Sequence, residues 1–344
     1  MSRVEAKPEQ AALSMLDEAA FADLVEGCRR ELQVHCYRML GSFEDSEDLV
    51  QETFLRAWRK RDTYQGRSTV RAWLYRIATN ACLDFLARNP RQPVPRPAET
   101  NAAGVTQRPP DEISWLQPYP DHLLEPQAPS DAEPDALVVA KETIELAFLV
   151  AIQYLPPKQR AVLILTDVLG WPASETAALL EVSVASVNSA LQRARATLKE
   201  RLSPRRMEWA PSVDPSEAER ALLQRYMAVV ETIDTRAMAE LLREDVKVTM
   251  PPHPIYILGR DNLVAGLNQF LDPNSPAHFG PWRSIPTRAN RQPAVAHYVR
   301  RPGEHEYRPQ VLDVLTIEDG LVAEITSFGP DLFPAFGLPA TLPS

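Results

Sequence analysis

The sequence predicts a multidomain protein in which two all-α domains precede a C-terminal α+β domain. Apolar residues recur with helical periodicity through residues 21–88 and again between residues 134 and 202. The stretch between them, residues 89–134, holds eleven prolines and little periodicity, which is typical of a linker. After residue 215 the pattern changes to two helices and then to alternating, strand-like runs.

Composition is ordinary except for proline, which supplies 32 of the 344 residues, about 9% against a usual ~5%. A net charge of −9 argues against a general nucleic-acid coat protein. The three cysteines are scattered and form no Cys-x-x-Cys pair, so we expect reduced, buried thiols, with no metal site and no cofactor. A polar N-terminus and the lack of any membrane-length apolar stretch predict a cytoplasmic protein without a membrane partner.

Charge is segregated within the first helical domain. Residues 41–52 carry five acids and no basic residue, whereas residues 53–91 carry nine basic residues and two acids, so the local net charge changes from −5 to +7. Aromatic residues are interleaved with the basic ones; we expect Trp58 and Trp73 to be structural. Basic side chains contact phosphates, and aromatic rings stack on unpaired nucleobases. We therefore favour an acidic face for a protein partner and a basic face for nucleic acid over two solvated helix faces.

The second helical domain contains the pattern of a helix-turn-helix. Residues 174–180 and 184–198 are helical stretches separated by a three-residue turn, and Ser183 is a suitable N-cap for the second. This motif places its second helix in the major groove, and a helical hairpin used only for packing is the alternative. The expected DNA-binding residues of this motif are Ser186, Asn188, Ser189, Gln192, Arg193 and Arg195.

Residues 45–58, 64–68 and 71–80 resemble region 2 of the extracytoplasmic-function sigma factors of the sigma-70 family, and residues 155–202 resemble region 4. The resemblance implies a transcription initiation factor that binds core RNA polymerase and promoter DNA. In that family the acidic helix docks on the β′ clamp helices, the following loop and helix open the −10 element, and region 4 binds the −35 element and the β flap.

The resemblance also assigns roles to individual residues. Polymerase binding falls to Asp45, Asp48 and Glu52. Binding of −10 DNA falls to Gln65, Arg67, Ser68, Arg71, Arg76 and Asn80. Two departures stand out: Glu181 occupies a turn position where the family often has glycine, and Asn188 and Ala190 replace common basic residues, so we expect an unusual −35 sequence.

Residues 219–328 resemble the SnoaL-like, ketosteroid-isomerase-like cone, in which helices pack in the concavity of a curved sheet. We expect a pocket filled by core side chains, with ligand sensing and catalysis as alternatives. Candidates for proton chemistry are Asp234, His253, Asp313 and Tyr256. The possible pocket residues are Met250, Tyr256, Trp282, Tyr298 and Phe328.

The resulting boundaries are 21–91 for sigma region 2, 92–134 for a Pro-rich acidic linker and 135–202 for region 4. They continue with 216–330 for the SnoaL-like domain and 331–344 for an apolar tail. A free linker seldom exposes Trp, Leu and Tyr together, so we expect residues 115–121 to dock on a folded domain. The tail is expected at the pocket mouth or on the sigma domains.

Three functional hypotheses follow. The first is a sigma factor that is not an enzyme and whose activity is modulated by the fused SnoaL-like domain, through intramolecular contact with the sigma domains. The second is a helix-turn-helix regulator with a ligand-binding or isomerase-like domain, which binds duplex DNA without polymerase. The third is a cyclase or isomerase fused to a DNA-binding module, which requires buried carboxylates with perturbed pKa values.

Overall fold

The computed structural model describes residues 17–64, 66, 68–95, 99–100, 106–107, 111, 113–124, 144–202, 216–271, 275 and 278–344. The chain divides into two compact units. The first comprises Met1–Gln92 and Pro129–Trp209, and the second comprises Pro93–Ala128 and Ala210–Ser344. Both helical domains therefore belong to the first unit, and the Pro-rich linker segment belongs with the C-terminal domain.

The first helical domain begins with α1 (Glu18–Glu26), α2 (Arg29–Leu40), α3 (Phe43–Lys60) and α4 (Val70–Arg88). The breaks predicted at Gly41 and Gly66 are confirmed, because both glycines have positive φ, 72° and 60°. Helices α2, α3 and α4 contact one another. Trp73 is buried, as predicted, and its ring lies 5.4 Å from that of Tyr64.

The second helical domain contains α5 (Leu146–Gln153), α6 (Pro157–Leu163), a π-helical turn (Ile164–Val168), α7 (Ala173–Leu180) and α8 (Val184–Arg201). Helices α7 and α8 form the predicted helix-turn-helix, and Ser183 caps α8 by accepting a hydrogen bond from the Ser186 N–H at 3.1 Å. Val162, Ala177 and Val187 form its small core.

The C-terminal domain places three helices on one face of a twisted sheet. The helices are α9 (Glu217–Thr232), α10 (Thr235–Leu241) and α11 (Arg260–Leu271). The sheet has the order β4-β3-β8-β7-β6-β5, in which β3 and β8 are parallel and the other neighbours antiparallel. Its strands are β3 (Leu242–Met250), β4 (His253–Leu258), β5 (Trp282–Ala289), β6 (Gln292–Val299), β7 (Glu306–Glu318) and β8 (Leu321–Phe328). Two-residue strands β1 (Glu99–Thr100) and β2 (Thr106–Gln107) pair within the linker.

Periodicity predicts β3, β6, β7 and β8 but misses β4 and β5. Each missed strand contains a proline, Pro254 or Pro286, and each lies at an edge of the sheet. An edge strand tolerates proline because only one of its sides is hydrogen-bonded to a neighbouring strand, so the missing N–H can fall on the unpaired side. The predicted turn at Asp319 and Gly320 is confirmed by their φ values of 53° and 77°.

The inner face of the sheet, which carries the three helices, buries the apolar core. Leu222, Tyr226, Met238, Val246 and Leu315 are among its members. The outer face is covered by the apolar tail, where a 3-10 helix (Pro330–Phe336) packs on the sheet and β9 (Leu342–Pro343) pairs with β7. The tail thus lies on the outer face of its own domain, which differs from both positions expected from the sequence.

No helix within the described ranges is long and apolar enough to cross a membrane. Within the same ranges, no group of three or more His, Cys, Asp or Glu side chains is placed to hold a metal ion.

The turn of the helix-turn-helix carries backbone strain. Glu181 ends α7 in the left-handed conformation, with φ 55° and ψ 44°, where a side chain costs about 1 kcal/mol relative to glycine. We expect Glu181→Gly to raise the free energy of unfolding by about 0.5–1 kcal/mol, measured from urea denaturation midpoints. Glu181→Ala keeps the strain and is the matched control. Equal midpoints for the two variants would contradict this expectation.

Candidate functional site

The acidic face predicted to bind a protein partner lies on α3. Ser42 caps this helix by accepting a hydrogen bond from the Asp45 N–H at 3.3 Å, and acids in the first turn suit the positive end of the helix dipole. Leu49 and Val50 are buried on the opposite side. Asp48 is exposed, and in the part of the chain that the structure describes it forms no ion pair. Its charge is therefore available to a partner.

The other two predicted acids are partly neutralised inside the fold. Asp45 forms an ion pair with Arg91 at 2.7 Å. Glu52 pairs with Arg56 at 2.7 Å, and Arg56 also contacts Asp84 at 2.8 Å. The hydrogen bonds that Arg56 donates to these two carboxylates raise its pKa. Asp45 thus helps to tie α3 to the segment after α4, and Glu52 helps to orient Arg56 towards Asp84 on α4.

An exposed leucine on the same helix was not anticipated from the sequence. Leu55 is 52% exposed and follows Asp48 by seven residues, which places the two on one side of α3. Leu24, on α1, is a second exposed apolar side chain of this domain, 41% exposed. The sequence does contain a sign of this exposure. Leu55 does not fit the helical spacing of the buried positions Leu49, Val50 and Ala57.

Helix α4 presents the basic surface predicted to meet DNA. Thr69 caps it by accepting a hydrogen bond from the Ala72 N–H at 3.2 Å. Arg76 and Asn80 are exposed and stand four residues apart, so they lie on one face of the helix. Ser68 is exposed in the preceding loop. The structure therefore brings three of the six predicted residues to the solvent side of one loop and helix.

The other three residues predicted to bind −10 DNA are not among these exposed positions with a free side chain. Gln65 and Arg67 lie outside the described residues. Arg71 is engaged within the fold, because its guanidinium contacts the Glu31 carboxylate at 2.6 Å, and this hydrogen bond raises the pKa of Arg71. Its charge is thus already paired before any phosphate arrives.

Helix α8 presents a polar face. Val187 and Ala194 are buried against the rest of the motif. Ser186 is exposed, but its hydroxyl lies 2.8 Å from that of the cap residue Ser183. The other predicted residues on this helix are exposed too; four of them are Asn188, Ser189, Gln192 and Arg193.

Arg195, by contrast, forms a two-pronged ion pair with Asp167, at 2.8 and 2.7 Å. The hydrogen bonds to Asp167 raise the pKa of Arg195.

Val182 and Val184, at the entry to α8, are exposed apolar residues that were not predicted to contact DNA. Apolar side chains contact the thymine methyl group in the major groove, so these two positions join the candidate surface.

The five residues predicted to line a pocket in the C-terminal domain lie on different parts of it. Trp282 packs against the inner core. Tyr298 contacts the tail helix on the outer face, and strand alternation places Phe328 on that face too. Met250 and Tyr256 belong to β3 and β4. Sequence position alone does not reveal this division, which depends on the strand register.

A buried polar network lies on the inner face near Trp282. Tyr226 donates a hydrogen bond to Asp313 at 2.9 Å, and Ser327 donates another at 2.6 Å. His297 Nε2 lies 3.3 Å from the same carboxylate, and Ser284 Oγ lies 2.9 Å from His297 Nδ1. Burial alone would raise the pKa of Asp313, but the contacts of its carboxylate with His297, Ser327 and Tyr226 lower it overall. The carboxylate is therefore held in its charged form by partners that use its oxygens.

The other candidates for proton chemistry do not join this network. Asp234 is exposed and caps α10 through the Ala237 N–H at 2.9 Å. His253 is exposed and Tyr256 is half-buried. His297 was missed, although it alternates with the core residue Val295 along β6.

The linker is hydrogen-bonded to the C-terminal domain. The Tyr119 N–H donates to Asn290 Oδ1 at 2.8 Å, and the Asn290 N–H donates to the Tyr119 carbonyl at 2.9 Å. Asp121 accepts from the Arg291 N–H at 2.8 Å and from Arg288 Nε at 3.0 Å. Burial raises the pKa of Asp121, against the opposing effect of Arg291 and Arg288.

The burial of this segment fits its hydrogen bonds. Tyr119 is fully buried, and Ile113, Leu116 and Asp121 are buried with it. The expectation that residues 115–121 dock on a folded domain is confirmed, and the turn between β5 and β6 receives them. The identity of the receiving domain could not be predicted, because Asn290 and Arg291 belong to no sequence motif.

Comparison with known proteins agrees with these two helical domains and the cone. The chain matches the family models Sigma-70 region 2 over residues 24–92, Sigma-70, region 4 over residues 145–198 and SnoaL-like domain over residues 223–325. It is 40% identical over 327 residues to the ECF RNA polymerase sigma factor SigG of Mycobacterium tuberculosis, with 94% of this chain and 85% of that one covered. The chain belongs to the ECF RNA polymerase sigma factors.

Other sigma factors share parts of this similarity. SigW of Bacillus subtilis is 30% identical over 189 residues, 54% of this chain and 90% of that one. The crystal structure of the M. tuberculosis extracytoplasmic function sigma factor SigJ has the same fold, with a TM-score of 0.56 and 24% identity over 93% of this chain and 99% of that one.

Family membership decides between the hypotheses. This sigma factor directs RNA polymerase to promoters and initiates transcription, so a helix-turn-helix regulator that works without polymerase is set aside. The role is one of binding core polymerase and promoter DNA, and the region 2 and region 4 assignments carry over to the two helical domains.

Asp121 offers a test of the linker contact. Asp121→Asn removes the charge that accepts from Arg288 and Arg291, which costs about 1–3 kcal/mol in a buried site. We expect the amide of Tyr119 to exchange with deuterium roughly tenfold faster or more. Asp331→Asn, an exposed acid in the tail of the same domain, is the control. Unchanged exchange in the Asp121 variant would show that the carboxylate does not hold the linker.

Proposed function

We propose that this sigma factor docks α3 on the β′ clamp helices of core RNA polymerase, places α4 on the −10 element and α8 on the −35 element, and contacts the β flap through region 4. It acts in the cytoplasm without a membrane partner. The observation that carries the proposal is the exposure of three separate surfaces on α3, α4 and α8, each with the side-chain chemistry its partner requires.

The polymerase contact rests on the pairing of charge with apolar surface on α3. Asp48 supplies an unpaired charge, and Leu55 supplies an apolar side chain on the same side of the helix. A protein interface gains affinity from a desolvated apolar centre and specificity from the charges around it. Glu52 and Asp45 add charge that is already shared with Arg56 and Arg91.

The −10 contact combines the loop before α4 with the helix itself. Tyr64 donates its hydroxyl hydrogen to the Ser68 carbonyl, and Gly66 adopts a positive φ of 60°. Capturing a flipped nucleobase costs a few kcal/mol. Gln65 and Arg67 in this loop, with Arg76 and Asn80 beyond it, are the residues we assign to recovering that cost.

The −35 contact relies on amides more than on charge. Asn188 and Gln192 stand four residues apart on α8, and each matches the donor and acceptor pair of an adenine edge. Arg193 is exposed and suits a phosphate, whereas Arg195 is already paired with Asp167. We therefore propose an A·T-containing −35 element.

Modulation by the C-terminal domain is the remaining part of the proposal. The linker joins the two DNA-binding regions in sequence, and residues 119–121 are hydrogen-bonded to the β5–β6 turn. A change in the C-terminal domain can thus alter the path between region 2 and region 4. We propose no chemistry for this domain, because both oxygens of Asp313 already accept hydrogen bonds, one from Tyr226 and one from Ser327.

The decisive experiment combines the full-length protein with core polymerase and fragmented genomic DNA in a run-off assay. We expect transcripts that begin at a small set of promoters and depend on the added protein. Binding to duplex DNA with no polymerase-dependent transcript from any fragment would overturn the proposal.

Substitutions on α3 test the polymerase contact. We expect the double variant Asp48→Arg, Leu55→Arg to weaken binding to core polymerase by at least tenfold, because it reverses one charge and removes the apolar centre. Fluorescence titration of labelled protein with core polymerase gives the dissociation constant. Asp261→Arg, a fully exposed acid in the C-terminal domain, is the control. Equal losses in both variants would assign the effect to net charge.

Substitutions on α8 separate base reading from phosphate binding. Gln192→Ala should reduce the binding free energy by about 1–3 kcal/mol through one base pair of the −35 element, and it should relax the base preference at that position. Arg193→Ala should weaken binding to all promoters alike. It should also reduce the slope of log K against log salt concentration by about one. Transcription from a library randomised across the −35 element, repeated at several salt concentrations, distinguishes these patterns. Identical behaviour of the two variants would contradict the assignment.

A further inference from the structure

Positive charge is concentrated in one part of the C-terminal domain, although the domain as a whole is acidic. Residues 279–310, which run from the start of β5 into β7, carry six arginines and two acids. Residues 216–278 carry six basic residues and nine acids, and residues 311–344 carry five acids and no basic residue. A local charge of +4 therefore stands in a domain with 12 basic residues and 16 acids.

The six arginines differ in whether their charge is used inside the domain. Two of them, Arg288 and Arg291, contact the linker residue Asp121. A third, Arg308, pairs with Glu304 at 3.4 Å. The other three form no ion pair among the residues that the structure describes, and they are Arg283, Arg300 and Arg301. We call these three residues the arginine patch.

One tyrosine ring brings two members of the patch together. In the register of β5 and β6, Arg283 is paired with Tyr298, so its side chain points to the outer face of the sheet. The guanidinium carbons of Arg283 and Arg300 lie 5.2 and 5.3 Å from the centre of the Tyr307 ring. The two charges are therefore no farther apart than the sum of these distances.

The remaining contacts of the patch orient it without cancelling its charge. The guanidinium carbon of Arg301 lies 5.8 Å from the centre of the Phe279 ring, and its Nη2 donates to Gln310 Oε1 at 3.1 Å. Arg300 donates to Ser344 Oγ at 3.1 Å. All of these partners are neutral. An arginine that lies against an aromatic ring keeps donors at its edge, and its planar fork matches the oxygens of a phosphate.

The patch lacks the apolar centre of a protein interface. Within residues 279–310, all of which the structure describes, no large hydrophobic side chain is exposed. Interfaces between proteins have a desolvated apolar centre, which Leu55 supplies on α3. Unpaired arginines without such a centre are typical of contact with the phosphates of nucleic acid.

The connector after region 4 keeps the patch close to promoter DNA. Thirteen residues, 203–215, separate Leu202 at the end of region 4 from Ser216, which caps α9. Fully extended, this connector spans at most about 50 Å. With α8 on the −35 element, the C-terminal domain is confined to the neighbourhood of that element, and weak contacts gain strength from this high effective concentration. Duplex downstream leads to the −10 contact and polymerase, so the free duplex lies upstream.

We propose that the arginine patch binds the phosphate backbone of duplex DNA upstream of the −35 element. The C-terminal domain thereby adds a sequence-independent contact to those of α4 and α8. The inference rests on the proposed function, since α8 must hold the −35 element for the patch to reach this duplex. Contact with phosphates makes promoter binding stronger at low salt and more sensitive to salt.

Two matched double variants test the patch. Arg283→Gln, Arg301→Gln removes two of its charges at exposed positions, whereas Arg225→Gln, Arg236→Gln removes two charges at exposed positions of α9 and α10. The change in net charge is the same. Polymerase assembled with each full-length chain is titrated onto two fragments of a promoter found by run-off transcription. The short fragment ends at the −35 element, and the long one extends about 30 base pairs, or about 100 Å, farther upstream.

The native chain should bind the long fragment about tenfold more tightly than the short one at about 0.1 M salt. The patch variant should lose this advantage. On the long fragment its slope of log K against log salt concentration should fall by about two, because two phosphate contacts are removed. The variant of α9 and α10 should match the native chain. Equal losses in both variants, or no native preference for the long fragment, would overturn the inference.

Binding to core polymerase without DNA separates the two classes of partner. A patch variant that binds core polymerase more weakly but keeps its preference for the long fragment would assign the patch to a protein contact and refute the DNA contact. Absence of transcripts from every genomic fragment would refute the proposed function. In that case the free chains are titrated onto a duplex of about 40 base pairs without promoter sequence, where the patch variant should still bind more weakly than the control. Equal affinities there would refute the patch.

Discussion

The first unit depends on how one buried guanidinium is solvated by the ends of helices. The last carbonyls of an α-helix lack partners within the helix and carry its negative dipole end. The carbonyls of Met39 and Gln153 stand at the ends of α2 and α5, and Arg160 donates to both. Desolvating a cation costs several kcal/mol. The hydrogen bonds to Met39 and Gln153 offset this cost, and Arg160 can form both only where the two helix ends meet. The union of the two domains thus follows from a requirement for hydrogen-bond partners.

Much of this architecture can be predicted from the sequence because it depends on local patterns. The helix-turn-helix follows from Ser183 as a cap and from apolar spacing, and the polar and basic faces follow from charge segregation. The division of the predicted pocket residues could not be predicted, because the faces of Trp282 and Tyr298 depend on strand register. Arg160 could not be predicted either, since a basic residue inside a helical stretch is usually at the surface and nothing local signals its burial.

Charge counts in the sequence overstate the charge that the surfaces present. The acidic run on α3 shares Asp45 and Glu52 with arginines of the same domain, and the basic run on α8 shares Arg195 with Asp167. Exposed ion pairs contribute little to stability, at most about 1 kcal/mol each. Their larger effect is to leave Asp48 and Arg193 as exposed charges without an ion pair among the described residues, and these are positions that we propose for recognition.

The docked linker has a consequence for any shortened form of the chain. Ile113, Leu116 and Tyr119 are buried in the second unit. Removing the residues beyond region 4 leaves these side chains attached to the DNA-binding domains but without the β5–β6 turn that receives Tyr119. Contiguous apolar surface of this kind promotes self-association. The C-terminal domain therefore covers apolar side chains of the segment between the two DNA-binding domains, and we expect a form shortened in this way to aggregate more readily.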